Sequence, residues 1–184
     1  MTCIPRAWDE VPRVVRDVFD AMLGMEQPPW PLVLIGKPGT GKTCAGLSML
    51  DWYVGPDTKY YPQKWVSVIG LYMTVDDLMT ELEDCRKGHN PRSATEFWDV
   101  VRRVSLVVLD ELVPGRERVP EYVFRCVKQL IDARLGRPMV VISNQSLTAL
   151  DTIYDGRLVS RLAAGTILTV DGEDRRCRRK GVGE

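Results

Sequence analysis

Five short apolar runs, and the amphipathic segments between them, determine the architecture expected of this chain. Each run is too short for a buried helix and is bounded by turn or charged residues, so we interpret the runs as strands. The segments between them carry apolar residues three and four positions apart, as helices do. Strands that alternate with helices predict an α/β sandwich with a five-stranded, mostly parallel sheet. The five runs are residues 31–35, 65–73, 105–109, 139–143 and 166–170.

Local signals mark the ends of several helices. Thr74 with Asp77, and Ser93 with Glu96, have the spacing of a capping box, in which each side chain satisfies a backbone N–H of the other residue. Pro120 suits the first turn of a helix that extends to Leu135, because proline has no N–H to leave unpaired. An earlier helix is expected between residues 11 and 25, with these apolar residues on its inward face: Val14, Val15, Val18, Phe19, Met22 and Leu23.

The segment after the first run fits the pattern G-x-x-x-x-G-K-[ST] at each fixed position, which predicts a P-loop that binds a nucleoside triphosphate with Mg²⁺. Glycines let the backbone aim N–H groups at phosphate oxygens, and the next helix adds its positive end. Lys42 is expected on the β- and γ-phosphates and Thr43 on Mg²⁺. A chance match in a chain of this size is on the order of a one per cent event. The nucleotide-binding residues are predicted to be Gly36, Lys37, Pro38, Gly39, Thr40, Gly41, Lys42, Thr43 and Cys44.

A second polar site follows the third run, which ends in Asp110 and Glu111. Open α/β sheets bind ligands at the carboxyl ends of their strands. Asp110 is therefore expected to hold the Mg²⁺ shell, and Glu111 to orient and polarise the attacking water. Two acids after a strand can also be a helix cap or a solvated turn. Asn144, after the fourth run, can contact the γ-phosphate or the lytic water, or serve as a turn residue.

Composition narrows the classes of function. The 184 residues are 45% hydrophobic, and Lys+Arg and Asp+Glu both number 25, so binding to nucleic acid would need local basic patches. Two segments are candidates: the Tyr- and Lys-containing segment 57–64, whose alternative role is to cover the edge of its own sheet, and the tail from Arg175, whose alternative is a disordered end. The single histidine, His89, excludes a Ser-His-Asp triad and a histidine-based metal site, and the five cysteines lie too far apart for C-x-x-C pairs. Without a membrane-length apolar run or a signal peptide, the expected location is cytoplasmic.

The ordered set of motifs resembles the AAA+ ATPases of the DnaC/IstB-like family, which are helicase loaders and transposition helper ATPases. Two further segments carry the resemblance, Tyr72 to Leu78 and Gly156 to Leu162. The resemblance implies that Asn144 is a sensor of the γ-phosphate and that Arg161 is an arginine finger. The finger would act in trans, on ATP bound by the neighbouring subunit. Arg157 is a weaker candidate for that interface, and Arg134 is expected at the subunit boundary.

The resemblance also implies what the protein does. It suggests an ATPase of DNA replication or a related DNA transaction, forming homo-oligomers with ATP at subunit interfaces. The partners would be DNA, in single-stranded form, and a replicative helicase or transposase. Two alternatives remain open: a small-molecule phosphotransferase on a P-loop scaffold, and a nucleotide-gated binding module with little hydrolysis. The expected organisation is an N-terminal arm and helix (1–30), an AAA+ core without a full C-terminal lid (31–172) and a basic tail (173–184).

Overall fold

The computed structural model describes residues 8–54, 70–113 and 119–172, and these form five strands, seven α-helices and one short 3₁₀ turn. The strands are β1 (Leu32–Ile35), β2 (Gly70–Thr74), β3 (Leu106–Asp110), β4 (Met139–Ser143) and β5 (Thr166–Thr169). The helices are α1 (Arg13–Leu23), α2 (Lys42–Val54), α3 (Val75–Lys87), α4 (Ala94–Arg103), α5 (Glu121–Ala133), α6 (Leu147–Ile153) and α7 (Gly156–Ala163). The 3₁₀ turn is Trp8–Glu10.

The strands form one sheet in the order β2-β3-β4-β1-β5, and each neighbouring pair is parallel. The predicted five-stranded α/β fold is therefore confirmed. β1 and β3 lie on either side of β4, so the segments that follow these three strands emerge side by side. That arrangement creates a crevice at the carboxyl edge of the sheet, where open α/β sheets bind ligands.

The central strands β1, β3 and β4 are apolar up to the terminal Asp110 and Ser143 because helices cover both faces of the sheet, whereas the edge strands β2 and β5 alternate between more and less buried residues. In β3, Leu106 and Val108 face α1 and α2, whereas Val107 and Leu109 face the layer built from α3 to α7. β4 alternates in the same way. Each face of the sheet thus packs against its own hydrophobic core. Together the two cores fix the positions of the strand ends.

The N-terminal helix α1 is attached to α2 by an aromatic cluster around Phe19, which is fully buried. The ring of Phe19 makes edge-to-face contacts with Trp8, Trp30 and Trp52, at centroid distances of 5.7, 6.3 and 6.1 Å. Trp8 also stacks on Trp52. One residue predicted on the inward face is misplaced: Val14 is 50% exposed, because the contact face of α1 is narrower than its apolar stripe.

Both predicted capping boxes are present. The Thr74 hydroxyl accepts from the backbone N–H of Asp77 at 3.0 Å, and the Asp77 carboxylate accepts from the Thr74 backbone in return. Ser93 and Glu96 make the equivalent pair at the start of α4. These caps define where α3 and α4 begin; α3 follows β2 directly, and α4 ends shortly before β3.

Several sequence predictions fall outside the described residues: most of the N-terminal arm, the segment 57–64, the start of the second strand (65–69) and the basic tail. The division into arm, core and tail stays a prediction. Among the cysteines that the structure describes, Cys44, Cys85 and Cys126 form no disulfide. In the described ranges, no helix combines the length and the apolar character needed to cross a bilayer.

Candidate nucleotide site

The segment between β1 and α2 adopts a loop suited to binding phosphate. Gly39 and Gly41 have φ angles of 83° and 94°, which favour glycine because a side chain would clash there. The Thr40 hydroxyl donates to the carbonyl of Lys37 at 3.0 Å and closes the turn. The first residue of α2 is Lys42, so the N–H groups of the first helical turn, with their partial positive charge, lie at the end of the loop.

Lys42 supplies a full positive charge inside this loop. Its side chain is buried, and Nζ donates to the carbonyls of Gly36 at 2.7 Å and Lys37 at 2.8 Å. A buried ammonium group needs such oxygen partners, since burying an unpaired charge is costly. The loop thus has backbone donors, a helix N-terminus and a lysine, the groups that bind a triphosphate. Thr43 follows in the first turn of α2 and is half-buried.

Asp110 and Glu111 stand at the carboxyl end of β3 in different environments. Asp110 is buried, and its Oδ1 accepts from the backbone N–H of Glu111 at 2.7 Å. Glu111 is exposed and has a φ of 50°, the left-handed conformation that costs a non-glycine residue roughly 1–2 kcal/mol. One carboxylate is therefore fixed within the fold and the other projects from its edge. This division suits one acid for a metal shell and the other for a water.

Tyr72 on β2 contacts the same site, although sequence reasoning assigned it no role. Its hydroxyl donates to Oδ2 of Asp110 at 3.0 Å. The two Asp110 oxygens thus accept from different donors, which fixes the plane of the carboxylate. The contact arises because β2 pairs with β3, with Tyr72 opposite Val108. The sequence signal was a tyrosine near the end of a strand, and it becomes informative only when the neighbouring strand is known.

Replacing Tyr72 with Phe is expected to lower the free energy of unfolding by roughly 1–3 kcal/mol, the usual cost of leaving a buried acceptor without its hydrogen-bond donor. The ring stays, whereas the donor to the buried Asp110 is lost. Urea denaturation of the two proteins measures the difference. An unchanged unfolding free energy would mean that this hydrogen bond does not fix Asp110.

Asn144 lies where β4 ends, between the phosphate loop and the acids. Ile35 pairs with Ser143 across the β1–β4 ladder, and the Gly36 N–H donates to the Ser143 carbonyl at 3.3 Å. The turn after β4 is closed by Ser143, whose hydroxyl bonds the backbone N–H of Gln145 at 3.0 Å. Asn144 is exposed and is not the residue that closes the turn. The structure therefore brings the loop, Asp110, Glu111 and Asn144 to one edge of the sheet.

Arg161, by contrast, lies toward the opposite edge. It occupies the last turn of α7, which precedes the parallel strand β5, so the helix ends near the beginnings of the strands. Its Nε donates to Asp132, the penultimate residue of α5, which in turn leads into the start of β4. Arg157 is exposed at the beginning of α7, and its carbonyl accepts from Nη1 of Arg161 at 2.9 Å. Arg161 is thus not part of the cluster around its own phosphate loop.

The expectation that Arg134 lies at a subunit boundary is wrong. Its side chain is only 2% exposed. The guanidinium donates to backbone carbonyls before β3 and β4, among them Val104 at 2.8 Å, Ser105 at 3.2 Å and Pro138 at 2.6 Å. Burial, together with the nearby charge of Arg137, lowers the pKa of Arg134 to about 10, so the group is still protonated at neutral pH. Arg134 therefore joins the starts of two strands and is unavailable to a second subunit.

A groove of about 560 Å³ lies away from this cluster, between α3 and the start of α5. Met79, Val119 and Val123 provide its apolar lining, and Glu83 and Arg86 stand at its rim. It contains none of the residues predicted to bind nucleotide. The candidate site is instead the open crevice at the carboxyl edge of β1, β3 and β4.

Comparison with solved structures identifies the same fold in AAA+ replication proteins. AMPPCP-bound DnaA from Aquifex aeolicus is 22% identical, with a TM-score of 0.66 over 91% of this chain and 49% of that chain. The DnaC helicase loader is 19% identical, with a TM-score of 0.65 over 88% of this chain and 93% of that chain. DnaI is 18% identical, with a TM-score of 0.60 over 92% of this chain and 90% of that chain.

The expected resemblance to DnaC-like proteins is confirmed at the level of the P-loop AAA+ fold. Identities of this size establish the fold alone. This chain spans about half the length of the DnaA structure from Aquifex aeolicus. No protein-family model and no curated protein sequence matches it.

Proposed function

We propose that this chain is a Mg²⁺-dependent ATPase of the AAA+ class that acts in DNA replication or a related DNA transaction. The observation that carries the proposal is the convergence of the phosphate loop, Asp110, Glu111 and Asn144 at one edge of the sheet. A loop alone would favour nucleotide binding. A buried acid, an exposed acid and an amide beside that loop favour hydrolysis as well.

Each group has a chemical task in this proposal. The N–H groups of the loop and Lys42 bind phosphate oxygens, and Lys42 exchanges its carbonyl partners for them. Thr43 and Asp110 hold the Mg²⁺ shell, and Tyr72 keeps the Asp110 carboxylate in one orientation. Mg²⁺, when bound, neutralises charge on the phosphates. Glu111 orients and polarises the attacking water, and Asn144 reports the state of the γ-phosphate.

Arg161 is proposed to complete the site of a neighbouring subunit. Its position toward the amino edge of the sheet separates it from its own phosphate loop, which supports a role in trans. A guanidinium at a transferring phosphoryl group stabilises charge that develops there. The same position weakens the phosphotransferase alternative, in which Arg161 would have to close over the site of its own chain.

Replacing Arg161 with Ala is expected to lower assembly-stimulated ATP hydrolysis roughly 10²-fold or more, with ATP affinity nearly unchanged. Phosphate release and nucleotide binding are measured separately, on protein shown to be folded by its thermal melt. Arg125→Ala is the matched control, since Arg125 is exposed on α5 and, among the described residues, its ion pair is with Glu121 of the same helix, at 3.0 Å. A loss of ATP binding in Arg161→Ala would contradict the role in trans.

The partners follow from the proteins that share the fold. The structures with this fold include DnaA bound to AMPPCP and single-stranded DNA, and the DnaC helicase loader. We therefore propose single-stranded DNA and a replicative helicase as partners of this chain, and a homo-oligomer with ATP at its interfaces. A transposase is the corresponding partner if the chain serves a transposition reaction.

One experiment tests the function as a whole: ATP hydrolysis and molecular mass, each measured with and without single-stranded DNA. Stimulated hydrolysis together with a higher mass supports the proposal. If DNA does not change ATP hydrolysis but a helicase stimulates it, the proposal of an ATPase stands and the partner is a protein instead of DNA. Turnover by a strict monomer that requires a small-molecule acceptor would overturn the proposal in favour of a phosphotransferase.

A further inference from the structure

Asp132, Lys128 and Arg161 form an ion-pair cluster that connects α5 to α7. The Lys128 ammonium lies 2.6 Å from Oδ2 of Asp132, and Arg161 donates through Nε to Oδ1. The side chains of Lys128, Asp132 and Arg161 are 28%, 31% and 29% exposed, respectively. Other ion pairs, such as Arg13–Asp17 and Glu121–Arg125, lie within single helices, with exposures of 65% or more. The cluster is thus more enclosed than these surface pairs and fixes two helices to each other.

The contacts of Arg161 determine the orientation of its guanidinium. Asp132 accepts from Nε, and the carbonyl of Arg157, one turn earlier, accepts from Nη1 at 2.9 Å. A guanidinium has five N–H donors in a planar fork, and these two contacts engage two of them. Arg161 is therefore held in one conformation without being saturated by the residues that hold it. An arginine on a flexible stem would otherwise have to be ordered when it met a phosphate.

Lys128 adjusts the charge of this arrangement. Burial by itself would raise the pKa of Asp132, but hydrogen bonds from Lys128 and Arg161 lower it below its ordinary value. The carboxylate is therefore ionised at neutral pH. The Asp132 carboxylate pairs with Lys128 as well as with Arg161, so one negative charge faces two positive charges. The cluster of two cations and one anion therefore keeps a net positive charge. That charge suits a surface that approaches the triphosphate of another subunit.

We propose that Asp132 is a positioning residue that presents Arg161 to the nucleotide bound by the neighbouring subunit, an inference that rests on the proposed function of Arg161. Asp132 acts through the guanidinium and does not touch the nucleotide. Groups that orient metal ligands commonly matter about 10- to 100-fold for activity, and we expect an effect of the same order for a group that orients a guanidinium. Asp132→Asn is therefore expected to lower assembly-stimulated hydrolysis at least tenfold, with unchanged ATP affinity.

Mixing experiments separate this role from a merely structural one. Glu111→Gln subunits keep a normal Arg161, and Asp132→Asn subunits keep a normal hydrolytic site. Adding excess Glu111→Gln protein should therefore restore hydrolysis at Asp132→Asn sites, whereas adding Arg161→Ala protein should not. Glu121→Gln, which removes an exposed acid on the same helix, is the matched control and should behave as wild type.

The same mixing design distinguishes failure of the inference from failure of the proposed function. If Glu111→Gln and Arg161→Ala subunits do not restore each other, then Arg161 does not act in trans and the function proposed for Arg161 fails. If those two variants do restore each other, the role of Arg161 in trans stands. Only the role of Asp132 is then overturned, either if Glu111→Gln protein fails to restore hydrolysis by Asp132→Asn protein or if Asp132→Asn protein is fully active by itself.

A measurement without nucleotide completes the test. In a spectrum of ¹⁵N-arginine protein, the Nε–H signal of Arg161, assigned by its loss in Arg161→Lys, should exchange slowly with water. Asp132→Asn should accelerate that exchange at least tenfold while Glu121→Gln leaves it unchanged. Equal exchange in wild type and Asp132→Asn would overturn the proposal.

Discussion

Glu111→Gln is expected to lower ATP hydrolysis roughly 10²-fold or more and to leave nucleotide binding nearly intact, as removal of a general base does. The amide has the size and shape of the carboxylate and cannot polarise water as strongly. Glu111 is exposed at the end of β3, and its backbone N–H donates to Asp110, so the substitution leaves that hydrogen bond in place. Phosphate release and equilibrium binding of a fluorescent nucleotide give the two quantities.

A second substitution at this position separates chemistry from stability. Glu111 has a φ of 50°, which glycine adopts without a steric penalty. The free energy of unfolding of Glu111→Gly should therefore be about 1 kcal/mol higher than that of wild type. ATP hydrolysis should be lost, as in Glu111→Gln. Full biological activity of Glu111→Gln, despite lost hydrolysis, would favour the nucleotide-gated binding module over the ATPase.

Sequence patterns predicted the layers of the fold because the physical signals were local. A strand buried on both faces must be apolar throughout, and the runs at β1, β3 and β4 meet that requirement. Capping boxes could be recognised because both partners lie within four residues of each other. The misplaced Val14 reflects a property of packing: periodicity indicates which residues share a helix face, but not how wide a part of that face the neighbouring helix covers.

The candidate site could be predicted only in part. Each motif could be recognised in its own segment, and parallel topology implied that the motifs lie at one edge of the sheet. Local sequence patterns do not determine the order of the strands in the sheet, so the contact between Tyr72 and Asp110 could not be predicted. The pairing of Asp132 with Arg161 depends likewise on how α5 packs against α7.

Arg134 shows that a family resemblance does not determine where a side chain lies. The resemblance implied a position at the subunit boundary, in keeping with the rarity of buried arginines, yet the side chain is buried. Burial is tolerated here because the guanidinium lies within hydrogen-bonding distance of consecutive backbone carbonyls in the segment that connects α4 to β3. Carbonyl oxygens at such a junction have no partners within a helix or strand, and a planar donor group supplies several at once.

The largest expected effect on stability is that of Arg134→Met. In the described structure Nη1 donates to the carbonyls of Val101, Arg102 and Val104, Nη2 donates to Ser105 and Pro138, and Nε has no partner. Methionine fills a similar volume and donates nothing, so each buried carbonyl left without a donor costs about 1–3 kcal/mol, whereas the Pro138 carbonyl still accepts from the Val107 N–H. Removing a buried charge recovers part of that cost.

We therefore expect Arg134→Met to lower the free energy of unfolding by about 3–4 kcal/mol, a large share of the 5–15 kcal/mol typical of a folded domain. The thermal midpoint should fall by about 10 °C. Arg137→Met is the matched control, because Arg137 is exposed and, in the described structure, its side chain donates only to the Arg102 carbonyl, and it should lower the midpoint by far less. Equal midpoints for the two variants would show that the junction of α4, β3 and β4 does not depend on a buried guanidinium. A selective loss of oligomers by Arg134→Met, with unchanged stability, would instead return Arg134 to a subunit boundary.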